Sequence, residues 1–175
     1  MIVRVGVCLA LGFGAWFLFT KDRPIDKLRE FSPDGKFKVL MPGIPKERTE
    51  KWDRDLAAKC WALREAFGEY TVGAIEFPVN VELPQESLDF LAAKMGDGGA
   101  PNAGDKITRQ EKITLAGKYP GRHIEAEAPS QEKCAKVRFF LTKRCAYILI
   151  AEGPKHWISS PDVMRFLESF QLIGE

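Results

Sequence analysis

Apolar and polar residues alternate with period two through much of this chain, and fall at a period near 3.6 in two short stretches. The clearest alternating stretch is AKVRFFLTKRCAYILIAEG, from Ala135 to Gly153. It predicts two strands folded back on each other at Lys143 and Arg144. With Thr142 facing Cys145, the pairs Leu141–Ala146, Phe139–Ile148 and Val137–Ile150 follow. Side chains alternate across a strand, so these six residues share one face. Arg138, Phe140, Thr142, Cys145, Tyr147 and Leu149 share the other. Both faces are largely apolar, as expected of strands in a sheet covered on both sides. This hairpin is therefore expected at the middle of the fold. Lys-Arg is not a favoured two-residue hairpin loop, which leaves the register open by one residue.

The same pattern predicts strands at Lys36–Met41, Lys59–Arg64, Glu69–Phe77, Lys106–Leu115 and Gly121–Ala128. The charged segment Lys46 to Leu56 reads as a loop or an exposed edge. A first helix is predicted over Gln85–Met95, where Leu88, Leu91, Ala92 and Met95 fall on one face. A second begins after Ser160, with Pro161 in the first helical position, Asp162 in the first turn, and Val163, Phe166, Leu167 and Phe170 on one face. Ser160 reads as its cap. Pro154 to Trp157 reads as irregular. The fold class expected is α+β: a mainly antiparallel sheet of six to seven strands with one helix on each side, an α/β/α sandwich. It occupies 31–175, after a polar linker over 21–30 and an apolar N-terminal helix over 1–20.

That N-terminal segment changes the picture most. Val5 to Phe19 holds fifteen residues without a charge, preceded by Arg4 and followed by Lys21 and Arg23. A helix of that length spans roughly 22 Å against a hydrocarbon core of roughly 30 Å, so Met1 to Val3 would extend it, with Arg4 snorkelling. No small-x-small cleavage pattern follows. The expectation is an uncleaved signal-anchor that holds a domain outside the cytoplasm at the cell membrane. The alternative is a cleaved signal and a secreted or periplasmic domain. Val7 is too large for the position before a lipidated cysteine, which argues against a lipid on Cys8.

The formal net charge is only +2 and the charges are interspersed, so a nucleic-acid partner is not expected. Four cysteines, Cys8, Cys60, Cys134 and Cys145, include no C-x-x-C. Zinc-ribbon and thioredoxin spacings are thus absent. Three buried thiols, or one disulfide and one free thiol, both remain open for the last three.

The stretches FSPDGKFKVLMPGIPKE, LAGKYPGRHIEAE, RFFLTKRCAYIL and FLESFQL touch most of Phe31 to Leu172. On these the chain resembles a type of exported domain common in planctomycete bacteria, similar to the PsbP-like fold. That fold group includes bacterial lipoproteins of the LpqN and DcrB type and a nuclear import factor that binds Ran. The resemblance implies an antiparallel sheet flanked by helices, and protein-binding or accessory roles more often than catalysis. It brings no catalytic residue set with it.

Candidate chemistry is thin. His123, Glu125 and Glu127 alternate on one strand face and would approach a metal site only if His156 joined them; otherwise they form a solvated face. Cys145 follows two cations that could lower its pKa. The glycine-rich GDGGAPNAG leaves a helix and enters a strand, the reverse of a phosphate loop, and reads as a flexible connection. Trp52 and Trp157 are the candidate partner contacts, as aromatic anchors; Trp157 could instead fold onto the sheet. No catalytic residue, metal or cofactor is assigned. The function expected is a non-catalytic protein-binding or accessory module on a membrane anchor. A carrier or sensor of an apolar ligand, and an enzyme with an unrecognised site, are the alternatives.

Overall fold

The computed structural model describes residues 28–53, 56–77, 106–128 and 132–174. The predicted N-terminal helix, the predicted helix Gln85–Met95 and the glycine-rich connection lie outside them. Among the described residues, no helix is long and apolar enough to cross a membrane.

The larger sheet holds β3 (Lys46–Asp53), β4 (Leu56–Arg64), β5 (Glu69–Glu76), β6 (Lys106–Leu115), β7 (Tyr119–Ala128), β8 (Lys133–Leu141) and β9 (Cys145–Gly153). Their spatial order is β3-β4-β5-β9-β8-β7-β6, antiparallel at every joint. Strand β9 is therefore central, and the β8–β9 hairpin holds the middle of the fold. Its register is the one the alternation predicts: Val137 opposite Ile150, Phe139 opposite Ile148, Leu141 opposite Ala146. Thr142 makes the unfavoured Lys-Arg turn work. Its backbone N–H donates to the Cys145 carbonyl (2.8 Å). Its hydroxyl accepts from the Cys145 N–H and donates to the same carbonyl, both at 3.0 Å.

A second, three-stranded sheet was not expected. It sets β1 (Arg29–Phe31) and β10 (Gln171–Leu172) on either side of β2 (Phe37–Met41). Helices α1 (Lys155–Ile158) and α2 (Pro161–Glu168) follow β9. Both contribute to the same buried cluster as β2, on one face of the larger sheet. The expectation of one helix on each side is not tested, because the predicted helix Gln85–Met95 lies outside the described residues. Pro154 to Trp157 is not irregular but leads into and forms α1. Ser160 does cap α2, but through its extended backbone, without a side-chain hydrogen bond.

The core between the layers is aromatic. Phe37 is fully buried and its ring meets Trp61, Tyr147 and Phe170 at 5.6, 5.7 and 5.4 Å between centroids. Such edge and tilted contacts add to the burial of apolar area. Ser169 fastens the layers at one point. Its hydroxyl accepts from the Leu40 N–H (2.8 Å) and donates to the Phe166 carbonyl (2.8 Å). The opposite face of the sheet is also apolar: Ile124, Phe139 and Leu141 form one buried group, and Ala58, Cys60 and Ile75 another.

Candidate functional site

A polar cluster lies where β6, β7 and β8 run beside α2. Register sets Glu111, His123 and Arg138 in one row and Arg109, Glu125 and Lys136 in the next. Glu125 is the hub. Its Oε1 lies 3.2 Å from His123 Nε2, 3.5 Å from an Arg109 nitrogen and 3.7 Å from Lys136 Nζ. Burial pushes the Glu125 carboxyl up, but the His123 hydrogen bond and the cations Lys136 and Arg109 outweigh it and hold the group below the usual carboxylate range.

His123 is buried, at 4% exposure, so the solvated-face reading of this row is corrected. Burial lowers its pKa, with help from the Arg138 and Arg109 charges; the Glu125 contact opposes this. A neutral ring that donates from Nε2 to Glu125 leaves Nδ1 as an acceptor. His123 Nδ1 and Arg138 Nε, on paired positions of adjacent strands, are both buried without a hydrogen bond. One can accept and the other donate, so the two are complementary neighbours. Beyond them Arg138 reaches α2, donating to the Leu167 carbonyl (3.2 Å) and lying 3.7 Å from Glu168. A cation on the last carbonyls of a helix is favourable there. The chemistry of the cluster is thus fastening: a charge network clamps the end of α2 to the sheet.

The metal reading finds no geometry. Glu127 pairs with Lys155 (3.2 Å), and His156 packs edge-on against Phe67, 5.9 Å between centroids. Among the described residues, no three His, Cys, Asp or Glu side chains converge on a possible ion. Cys145 is not activated by the cations that precede it. It is buried, and burial raises its thiol pKa; burial also raises that of Cys134. Cys60, Cys134 and Cys145 form no disulfide with one another, and Cys60 and Cys145 belong to clusters on opposite faces of the sheet.

Trp157 folds onto the sheet, at 8% exposure, so it offers no exposed ring to a partner. It packs on Tyr70, 4.9 Å between centroids. It also lies on two glycines: a Cβ at Gly68 or at Gly153 would stand 2.6 or 2.7 Å from its ring. Trp52 lies in β3, an edge strand, with its side chain outside the described part. Ile44, at 90% exposure, and Phe67, at 64%, are the two most exposed of the large apolar residues among the described ones, and the sequence reading missed them. Their signal was faint: an isolated apolar residue inside a proline- or glycine-marked turn.

No protein-family model matches the chain, and no curated protein matches it. Solved structures do. The solution structure of cyanobacterial PsbP (CyanoP) from Synechocystis sp. PCC 6803 superposes with a TM-score of 0.57 at 11% identity, covering 83% of this chain and 92% of that one. A Pseudomonas aeruginosa protein of unknown function, PA94, superposes with a TM-score of 0.43 at 10% identity, covering 75% and 85%. The fold is PsbP-like.

Proposed function

We propose that this chain is a non-catalytic accessory domain, held outside the cytoplasm at a membrane by residues 1–20, where it binds a protein partner. The observation that carries this is the joining of two features. A fifteen-residue uncharged run precedes a domain in which the cluster at Glu125 is paired within the strands and Arg138 fastens the end of the domain's own helix. A catalytic site needs titratable groups convergent in a cleft; here Glu125 is paired with Arg109 and Lys136 within the strands, and Arg138 is engaged at the end of α2. The PsbP-like fold shared with the Synechocystis protein supports an accessory role by analogy of fold alone. The carrier alternative places a ligand between sheet and helix. That space is occupied by the interlocked rings of Phe37, Tyr147 and Phe170.

Partner contact is proposed through Trp52, late in β3. Exposed Lys46, Glu47 and Arg48 guard that edge against strand addition. The partner would therefore meet side chains rather than the open backbone. Affinity recovery from detergent-solubilised membranes, with wild type and Trp52→Ala side by side, tests this. Loss of a co-recovered protein in the variant is expected; unchanged recovery removes Trp52 from the contact.

A further inference from the structure

Four large apolar side chains are exposed among the described residues: Ile44, Phe67, Ile107 and Ile173. The strand register puts the first three at one end of the molecule. Ile44 stands in the link from β2 to β3, next to Gly43, whose Cβ would be 3.5 Å from the Leu63 side chain. Phe67 stands in the β4–β5 turn, closed by the Glu65 N–H to the Gly68 carbonyl (2.7 Å). Lys46 opposite Ala62 and Arg64 opposite Glu69 bring both turns to the same edge of the fold. Ile107 starts β6 opposite Ala126, and Ala126 pairs with Ala135 next to the Cys134–Gly153 pair that marks this end. The described chain also enters here, since Arg29 pairs with Met41. Ile173 lies at the other end, next to Leu172 opposite Phe37.

The chain outside the structure limits where this end can be. From Thr20 to Leu28 there are eight residue steps, a reach of at most about 28 Å. A strand of nine or ten residues runs about 30 Å. With Val5 to Phe19 in a bilayer, the end that receives the tether stays beside the headgroups. The opposite end cannot change places with it unless the tether is drawn out almost straight.

We propose that this end is a lipid-facing surface, on which Ile44 and Phe67 enter the headgroup zone while Arg64 and Lys155 meet anionic phosphates. The proposal rests on the reading that residues 1–20 tether the chain. Side-chain exposure of Arg64 is 81% and of Lys155 is 79%. Their pairs with Glu69 (3.6 Å) and Glu127 (3.2 Å) are exposed pairs of the kind that contribute little, so exchange for a phosphate costs little. Basic residues beside a membrane surface are attracted to anionic lipid. A protein interface is the less suitable occupant. A stable one buries about 800 Å² on each side, whereas separated apolar tips suit shallow insertion into lipid. The same geometry sets the Asp53–Leu56 end of β3 and β4, with Trp52 in β3, at the end away from the bilayer.

The test uses the full chain reconstituted in phosphatidylcholine–phosphatidylglycerol vesicles, with acyl chains brominated near the headgroup as quenchers of tryptophan emission. Native Trp16 lies within the apolar run and reports on the tether itself. Ile44→Trp and Phe67→Trp should each lose most of their added emission, and Ile173→Trp should lose none. Arg64→Glu with Lys155→Glu should reduce the quenching at Ile44→Trp in anionic vesicles. If Trp16 is quenched but the tips are quenched no more than Ile173→Trp, the proposal falls and the tether stands. If Trp16 is not quenched and the protein does not float with the vesicles, the tether reading falls and takes the proposal with it. If the tips are shielded from a soluble quencher only in native membranes and not in pure lipid, this end belongs to a protein, and the proposal is overturned.

Discussion

Gly68→Ala separates tight packing of Trp157 from mere burial. The three atoms closest to a Cβ at Gly68 all belong to the Trp157 ring, at 2.6, 2.6 and 2.7 Å. Carbon atoms pack at about 3.5–4.0 Å, so the ring would have to retreat by about 1 Å. It has nowhere to go: Tyr70 lies against it, and the Gly153 backbone closes another side. Overpacking of this kind costs about 1–3 kcal/mol, and removing the ring in Trp157→Ala costs about 3–5 kcal/mol. In the Trp157→Ala background the obstruction is gone. Alanine at position 68 should then be neutral, or stabilising by about 0.4–1 kcal/mol through the unfolded chain. The two substitutions should therefore couple by roughly 2–3 kcal/mol. Gly153→Ala is the control, because its Cβ would also stand 2.8 Å from the Phe67 carbonyl oxygen, which Trp157→Ala leaves in place. Chemical denaturation followed by far-ultraviolet circular dichroism measures all of these. An equal cost of Gly68→Ala in both backgrounds would refute the packing argument.

Phe37→Ala should cost about 3–5 kcal/mol in the same assay, because its ring joins the small sheet to the large one. Stability should fall with pH in two windows. His123 has a folded pKa below its unfolded value near 6.5, so its contribution is complete above 6.5 and is lost as pH falls toward the folded value. Glu125 and Glu76, both held below the usual carboxylate value, lose theirs only below about 4.5. His123→Gln, which does not titrate, should flatten the upper window and leave the lower one; an unchanged upper window would remove His123 from the account. Cys60 and Cys145, both buried, should resist alkylation in the native protein at neutral pH and react on unfolding; a fast native reaction at either would contradict their burial.

Period-two patterning made the centre of the sheet legible, because the β8–β9 hairpin has large apolar residues on both faces and any other register would break two cores at once. The charged β3 was legible only as a possible edge, since an edge strand with one partner has little burial to mark it. Strands β1 and β10 were not visible. They have three and two residues, and both are held only by pairing with β2, β10 from the far end of the chain. The His123 row was visible as an alternation, but its burial was not, because burial comes from β8 and α2 rather than from local sequence. Trp157 was named as a candidate contact on its residue type alone, and of the two glycines that seat it Gly68 is far from it in sequence. The exposure of Ile44 and Phe67 came only with the packing of the turns that carry them.

Alkaline extraction and flotation of membranes from cells making the full chain, combined with external protease on cells stripped of their outer layers, measures both the proposed membrane tether and the side from which it would hold the domain. The chain should stay with the bilayer, and the part beyond residue 27 should be reached by the protease from outside. Full-length chain found free in the soluble fraction, or protected on the inner side, would contradict it.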